Sequence, residues 1–179
     1  DIARGEAGEI AIGLVGSLMY ESRFTHQLKV SNKDHPGVRI SWHEMPILTQ
    51  IDALHSQRLD IAVIREPIPA NVLEEVDCFT LSTQRLVVVL PEEHPQSGNT
   101  EILLTDLAQD DFLAFTDPSG VGMGQALLDQ CRNAGFEPRI TQKVSEIATL
   151  ISLVAAGFGV SLVAEIVNHL RLPGVCYRP

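Results

Sequence analysis

The feature that most constrains this chain is how its apolar pattern switches period along the sequence. Glu9-Ile10-Ala11-Ile12-Gly13-Leu14-Val15 is a nearly continuous apolar run, the mark of a buried parallel strand. A helical pattern follows from about Leu18 to Ser31, with Tyr20, Phe24 and Leu28 on one face, and His35-Pro36-Gly37 stops it. Val38, Ile40 and Trp42 then alternate with polar residues as a second strand. Ile47, Ile51 and Leu54 fall at helical spacing, and Ile61-Ala62-Val63-Ile64 is a third apolar strand. Such a βαβαβ series asks for a parallel sheet with helices on its faces.

The second half repeats the theme. After Pro67-Ile68-Pro69 come two strand-like runs, Val76 to Leu81 and Arg85 to Leu90, then a loop marked by Pro91, Pro95 and Gly98. Phe112-Leu113-Ala114-Phe115 reads as a strand, followed by the glycine-rich turn Pro118-Ser119-Gly120-Val121-Gly122. Met123, Leu127, Cys131 and Ala134 form a helical stripe that Gly135 ends, and Ile140 to Val144 is a further strand. Ile147, Leu150, Ile151 and Val154 are the clearest amphipathic stripe, with Gly157 where a C′ glycine belongs. Phe158 to Val163 reads as a buried strand, and Ile166, Val167 and Leu170 as a short helix. Gly174 to Pro179 looks like the beginning of another strand. The pattern predicts an α/β fold of two similar lobes, residues 9–82 and 83–179, joined near Leu81 to Arg85.

Composition narrows the function. With 179 residues, 45% of them hydrophobic, the chain can bury a core without metal or disulfide staples. Its net charge of −10 and lack of a basic run argue against DNA binding by this chain alone. Cys78, Cys131 and Cys176 show no CxxC spacing, so reduced thiols and a cytoplasmic setting are expected, with Cys131 buried on its helix stripe. No run of about 18 apolar residues suggests a membrane span, and Asp1 to Glu6 lacks the apolar core of a signal peptide.

Two residues stand where ligands settle in open α/β sheets, at the carboxyl ends of strands. Ser17 opens the helix after the first strand, where unpaired N–H groups suit an anion; it reads as a ligand donor or as a plain N-cap. Arg65 follows the third strand and reads either as a bidentate partner for a carboxylate or as half of a salt bridge with Glu66. Asp117 to Gly124 is the matching turn of the second half, but Gln125 stands where a dinucleotide fingerprint needs its last glycine, so no cofactor is expected. The six histidines lack metal-ligand spacing. Ser17 sits in no nucleophile elbow, since Gly16 precedes it directly and Met19 follows in place of glycine. Glu44 and Asp60 lie on separate strands, so no catalytic pair is expected and the chain does not read as an enzyme.

Several segments, taken in order, resemble the effector-binding domain of LysR-type transcriptional regulators across nearly the whole chain. Ala3-Arg4-Gly5-Glu6-Ala7-Gly8-Glu9-Ile10-Ala11-Ile12-Gly13 is similar to that family's exit from its linker helix into the first regulatory strand. Gln50-Ile51-Asp52-Ala53-Leu54 with Arg58-Leu59-Asp60-Ile61-Ala62 is similar to its second helix and third strand, and His94-Pro95 to a common turn. Leu153 to Val163 matches its most recognisable segment.

The resemblance implies a periplasmic-binding-protein-like (type 2) pair of Rossmann-like lobes holding a small effector between them. It further implies that residues 1–8 end a linker from a winged helix-turn-helix, that DNA is bound only through that part, and that the segment returning to lobe I is absent. Pairing into a homodimer or homotetramer would use about Leu18 to Ser31 and Val38 to Trp42. Gly16, Ser17, Leu18 and Arg65 resemble positions used by members that sense aromatic-pathway carboxylates such as benzoate or muconate, and Thr116, Pro118 and Ser119 would close from the other lobe. Ile47 stands where those members tend to carry Thr, which implies a more apolar ligand; Gln57 replaces a usual glycine and Ala164 a common proline. A periplasmic solute-binding protein of the same architecture is the rival reading.

Overall fold

Three apolar strands organise the first part of the protein. The structure, a computed structural model, describes residues 8–74 and 76–179; the expected linker end at residues 1–8 lies outside them except for Gly8. Contacts divide the chain into two compact units that meet in sequence at Arg65 and Glu66. The expected junction lay at residues 82 and 83, so the segment 66–82 groups with the second unit. That segment adds no strand to the first sheet, which is why it is not held there.

In the first unit, β1 (Gly8–Leu14), β2 (Val38–Glu44) and β3 (Ile61–Val63) form a parallel sheet in the order β2-β1-β3. Leu14 is in register with Glu44 on one side and Val63 on the other, so all three strands end at one edge. At the opposite end, Asp60 closes the sheet: its Oδ2 accepts from the Ala11 N–H at 2.8 Å, and its own N–H donates to the Ala11 carbonyl at 2.9 Å. Glu44 and Asp60 therefore sit at opposite ends of the sheet.

The helix expected from Leu18 to Ser31 is broken. A 3-10 turn spans Gly16–Tyr20, and α1 (Ser22–Asp34) starts only after Glu21, whose side chain accepts from the Arg23 N–H. The face predicted from Tyr20, Phe24 and Leu28 carries across the break in phase, so spacing alone does not reveal it. Phe24 meets Trp42 of β2 edge-on at 6.2 Å, fixing α1 on the sheet, although no residue of α1 is fully buried. The second helix, α2 (Ile47–His55), buries Ile47, Gln50, Ile51 and Ala53.

The second unit is mixed where a parallel repeat was expected. β5 (Asp111–Phe115) and β6 (Arg139–Val144) pair in parallel, but β4 (Leu86–Pro91) runs antiparallel to both β7 (Ser161–Ala164) and β8 (Val175–Arg178). A bridge between Phe112 and Val160 and the Ser161 hydroxyl donating to the Leu113 carbonyl at 2.7 Å link the two groups of strands. The four central residues of β4 are all buried, as a strand covered on both faces requires. Val88 and Leu90 share a cluster with Phe112 and with Leu127 and Cys131 of α3 (Gly122–Asn133), and α4 (Ile147–Ala155) packs against the same strand. Burial, with a smaller contribution from the charge of Glu137, pushes the Cys131 thiol up to about 11, so it is a neutral core residue.

Two expected strand positions fail for a common reason. Val76 to Leu81 is a strand-like run but pairs with nothing among the described residues, leaving Phe79 84% and Leu81 52% exposed. Phe158 is likewise exposed, and β7 begins only at Ser161. Gly157, past the end of α4, has a φ of +80°, the left-handed conformation expected of a C′ glycine.

The equivalent position after α2 is Gln57, with φ +55°. A side chain in this conformation costs roughly 1–2 kcal/mol, and glycine's extra freedom in the unfolded chain offsets about 0.5–1 kcal/mol of the relief. Gln57→Gly is therefore expected to stabilise the protein by about 0.5–1 kcal/mol in denaturant unfolding; a loss of stability would show that the left-handed turn is absent.

Candidate functional site

Register brings the first unit's polar groups to one edge. Past Leu14 the chain turns through Gly16 and Ser17, and past Val63 it reaches Arg65. The Arg65 Nη2 donates to Ser17 Oγ at 3.1 Å. Ser17 is no N-cap, because it lies inside the 3-10 turn, where Val15, two residues earlier, takes the cap position without a side-chain bond. Arg65 makes no ion pair with Glu66 or with any other described residue. The expected long-helix N-terminus behind Ser17 is also corrected: a turn of five residues stands there.

Arg65 is partly buried, and that burial lowers its pKa below the ordinary value. A guanidinium titrates so high that it stays charged regardless. The site thus holds a partly buried cation whose partner among the described residues is one neutral oxygen. Desolvating a charge without a counter-charge is costly, and an incoming carboxylate would relieve that cost through charge-assisted bonds.

The rest of this edge is set by the turn between β2 and α2. The Met45 N–H donates to the Leu14 carbonyl at 3.2 Å, while the Met45 carbonyl accepts from Gln50 Nε2 at 3.0 Å. Gln50 is fully buried, and its Oε1 has no hydrogen-bond partner. It lies over Gly13, where a Cβ would stand 3.0 Å from Oε1 and 2.5 Å from Leu59 Cδ1, so β1 needs glycine there. Glu44, exposed at the end of β2, brings its carboxylate against Gly16, so a side chain at that position would have to push it aside. Sequence reasoning missed both Gln50 and this placement of Glu44. Of the remaining expected residues, Leu18 and Ile47 are buried in the core.

In the second unit, Thr116, Pro118 and Ser119 are exposed on the turn between β5 and α3. The Thr116 N–H donates to the Val144 carbonyl. Asp117, absent from the expected set, accepts from the Gly124 N–H at 2.9 Å and so places a carboxylate at the start of α3. The Gly122 N–H donates to the Pro67 carbonyl at 2.7 Å. This turn thus already carries a carboxylate at the start of its helix. Among the described residues no cluster of His, Cys, Asp and Glu is arranged to hold a metal, and no helix is long and apolar enough to cross a membrane.

An α/β chain with parallel strands ending at one edge and a polar site there matches a known class. The family model of the LysR substrate binding domain matches residues 3–179, and the chain belongs to that family. Its fold is the type 2 periplasmic-binding-protein-like class of those domains. The chain is 31% identical over 176 residues to the uncharacterized HTH-type transcriptional regulator YnfL of Escherichia coli, covering 98% of this chain and 58% of that protein. It therefore spans little more than half the length of that relative. Among solved structures, the effector binding domain of BenM, a regulator of Acinetobacter baylyi, with its effector benzoate is similar at TM-score 0.77 and 28% identity, covering 96% of this chain and 76% of that one. The effector binding domain of QuiR in complex with shikimate shares the fold at TM-score 0.82 and 23% identity, covering 96% and 80%.

Proposed function

We propose that this domain senses a small carboxylate for a LysR-type bacterial transcriptional regulator working in the cytoplasm, with Arg65 and Ser17 anchoring the acid. The observation that carries this reading is the Arg65 guanidinium, partly buried, bonded to Ser17 Oγ and paired with no carboxylate among the described residues. The ligand's carboxylate takes the position a counter-charge would occupy, and the Ser17 hydroxyl, now accepting from Arg65, turns to donate to it. Binding shifts the domain's conformational equilibrium only by the difference in effector affinity between its states. DNA contact belongs to a separate reader domain, in keeping with the charge of −10 on this chain.

Calorimetric titration with benzoate and shikimate, on the wild type and on Arg65→Ala, tests the anchor. A hydrogen bond to a charged group contributes about 1.5–3 kcal/mol, so Arg65→Ala is expected to weaken binding by about tenfold to a hundredfold. Its melting temperature is expected to stay close to wild type, because no ion pair is lost. Equal binding by both proteins would remove Arg65 from the site.

Self-association through α1 and β2 forms the second part of the reading. α1 buries none of its residues fully, Met19, Val30 and Trp42 are exposed, and a groove between helix and strand is lined by Met19, Leu28, Ile40 and Trp42. Two copies packed along this surface would cover it. Trp42→Glu is expected to shift the protein from dimer to monomer in analytical ultracentrifugation; an unchanged sedimentation coefficient would place the interface elsewhere.

A further inference from the structure

The edge that holds Arg65 also holds a carboxylate with no partner. Register aligns Glu44 of β2 with Leu14 and Val63, so Glu44 and Arg65 flank the exit of β1 from its two neighbouring strands. Each side chain reaches the turn after β1: the Glu44 carboxylate rests against Gly16, and the Arg65 guanidinium donates to Ser17. These are consecutive residues, with Cα atoms about 3.8 Å apart. Yet the two charges form no ion pair with each other, and Glu44 has no hydrogen bond or ion pair with any described residue. Gly16 makes this placement possible, since any side chain there would displace the carboxylate.

A plain carboxylate entering such a site gains Arg65 but meets the charge of Glu44. A ligand that also carries a hydrogen-bond donor next to its carboxylate satisfies both groups at once. From this we infer that the effector is an α-amino or α-hydroxy acid, with its carboxylate on Arg65 and Ser17 and its ammonium or hydroxyl on Glu44. Because the two groups reach adjacent residues, a donor close to the carboxylate suits them better than one at the far end of a long molecule. Glu44 is then the specificity residue of the site, rejecting acids that lack the donor because its own acceptor would be left facing a like charge. The inference rests on Arg65 and Ser17 being the acid anchor.

Calorimetry with two matched sets, hydrocinnamate, phenyllactate and phenylalanine, and propanoate, lactate and alanine, tests it on the wild-type domain, Glu44→Gln and Arg65→Ala. Within at least one set the wild type is expected to bind a donor-bearing acid about tenfold or more tightly than the plain acid, the difference one charged hydrogen bond makes. Glu44→Gln is expected to abolish the preference for the amino acid while binding the plain acid as well as the wild type or better. A plain acid bound as tightly as its substituted partners, or a preference for the amino acid that survives Glu44→Gln, overturns the assignment of Glu44; if Arg65→Ala still loses binding in that case, the anchor stands. Binding that is unaffected by Arg65→Ala, or absent from both sets, overturns the two readings together.

Discussion

A guanidinium drawn partly out of water, bonded to one serine hydroxyl and, among the described residues, to no carboxylate, is the interaction on which the proposed function turns. Proteins tolerate a desolvated charge poorly unless it is paired or used. Here the fold spends three parallel strands to place it. The common edge of β2, β1 and β3 puts Glu44, Gly16, Ser17 and Arg65 side by side, although they are separated by up to 49 positions in sequence. Gln50 then fixes the turn that carries Glu44 by holding the Met45 carbonyl, at the cost of an unsatisfied oxygen of its own. An unsatisfied buried acceptor costs about 1–3 kcal/mol, and stability given up beside a binding edge is a common feature of functional sites.

Much of the fold was readable because burial writes its period into the sequence. The run Glu9 to Val15, the alternation Val38, Ile40, Trp42 and the stripe Ile147, Leu150, Ile151, Val154 each became the element their spacing indicated. Gly157 and Gly135 both adopted positive φ. Pairing direction was not readable, because nothing local distinguishes a β4 that runs antiparallel to β7 and β8 from one that runs parallel. Val76 to Leu81 is a strand-like run but has no partner among the described residues, and a strand exists only through its neighbours. The break at Glu21 was hidden because the apolar face on either side of it stays in phase.

The site was half legible for a similar reason. Ser17 and Arg65 follow strand ends directly, so the rule that ligands gather at carboxyl ends of parallel strands pointed to both. Their mutual hydrogen bond, and the absence of a Glu66 salt bridge, needed the register of three strands. Glu44 was visible as a strand-end carboxylate, but its approach to Gly16 depends on a lateral alignment that no single segment encodes. Gln50 looked like one polar residue among others on α2 until its complete burial was seen. The family relationship supplies the class of domain, and the geometry of these four residues supplies the chemistry.

The most direct test of the central claim is a crystal structure of the domain grown with para-bromophenyllactate, whose bromine can be located by anomalous scattering. The account expects the ligand's carboxylate within hydrogen-bonding distance of both the Arg65 guanidinium and the Ser17 hydroxyl. A bromine signal elsewhere in the protein, or an Arg65 side chain paired with a carboxylate of its own chain, would contradict it.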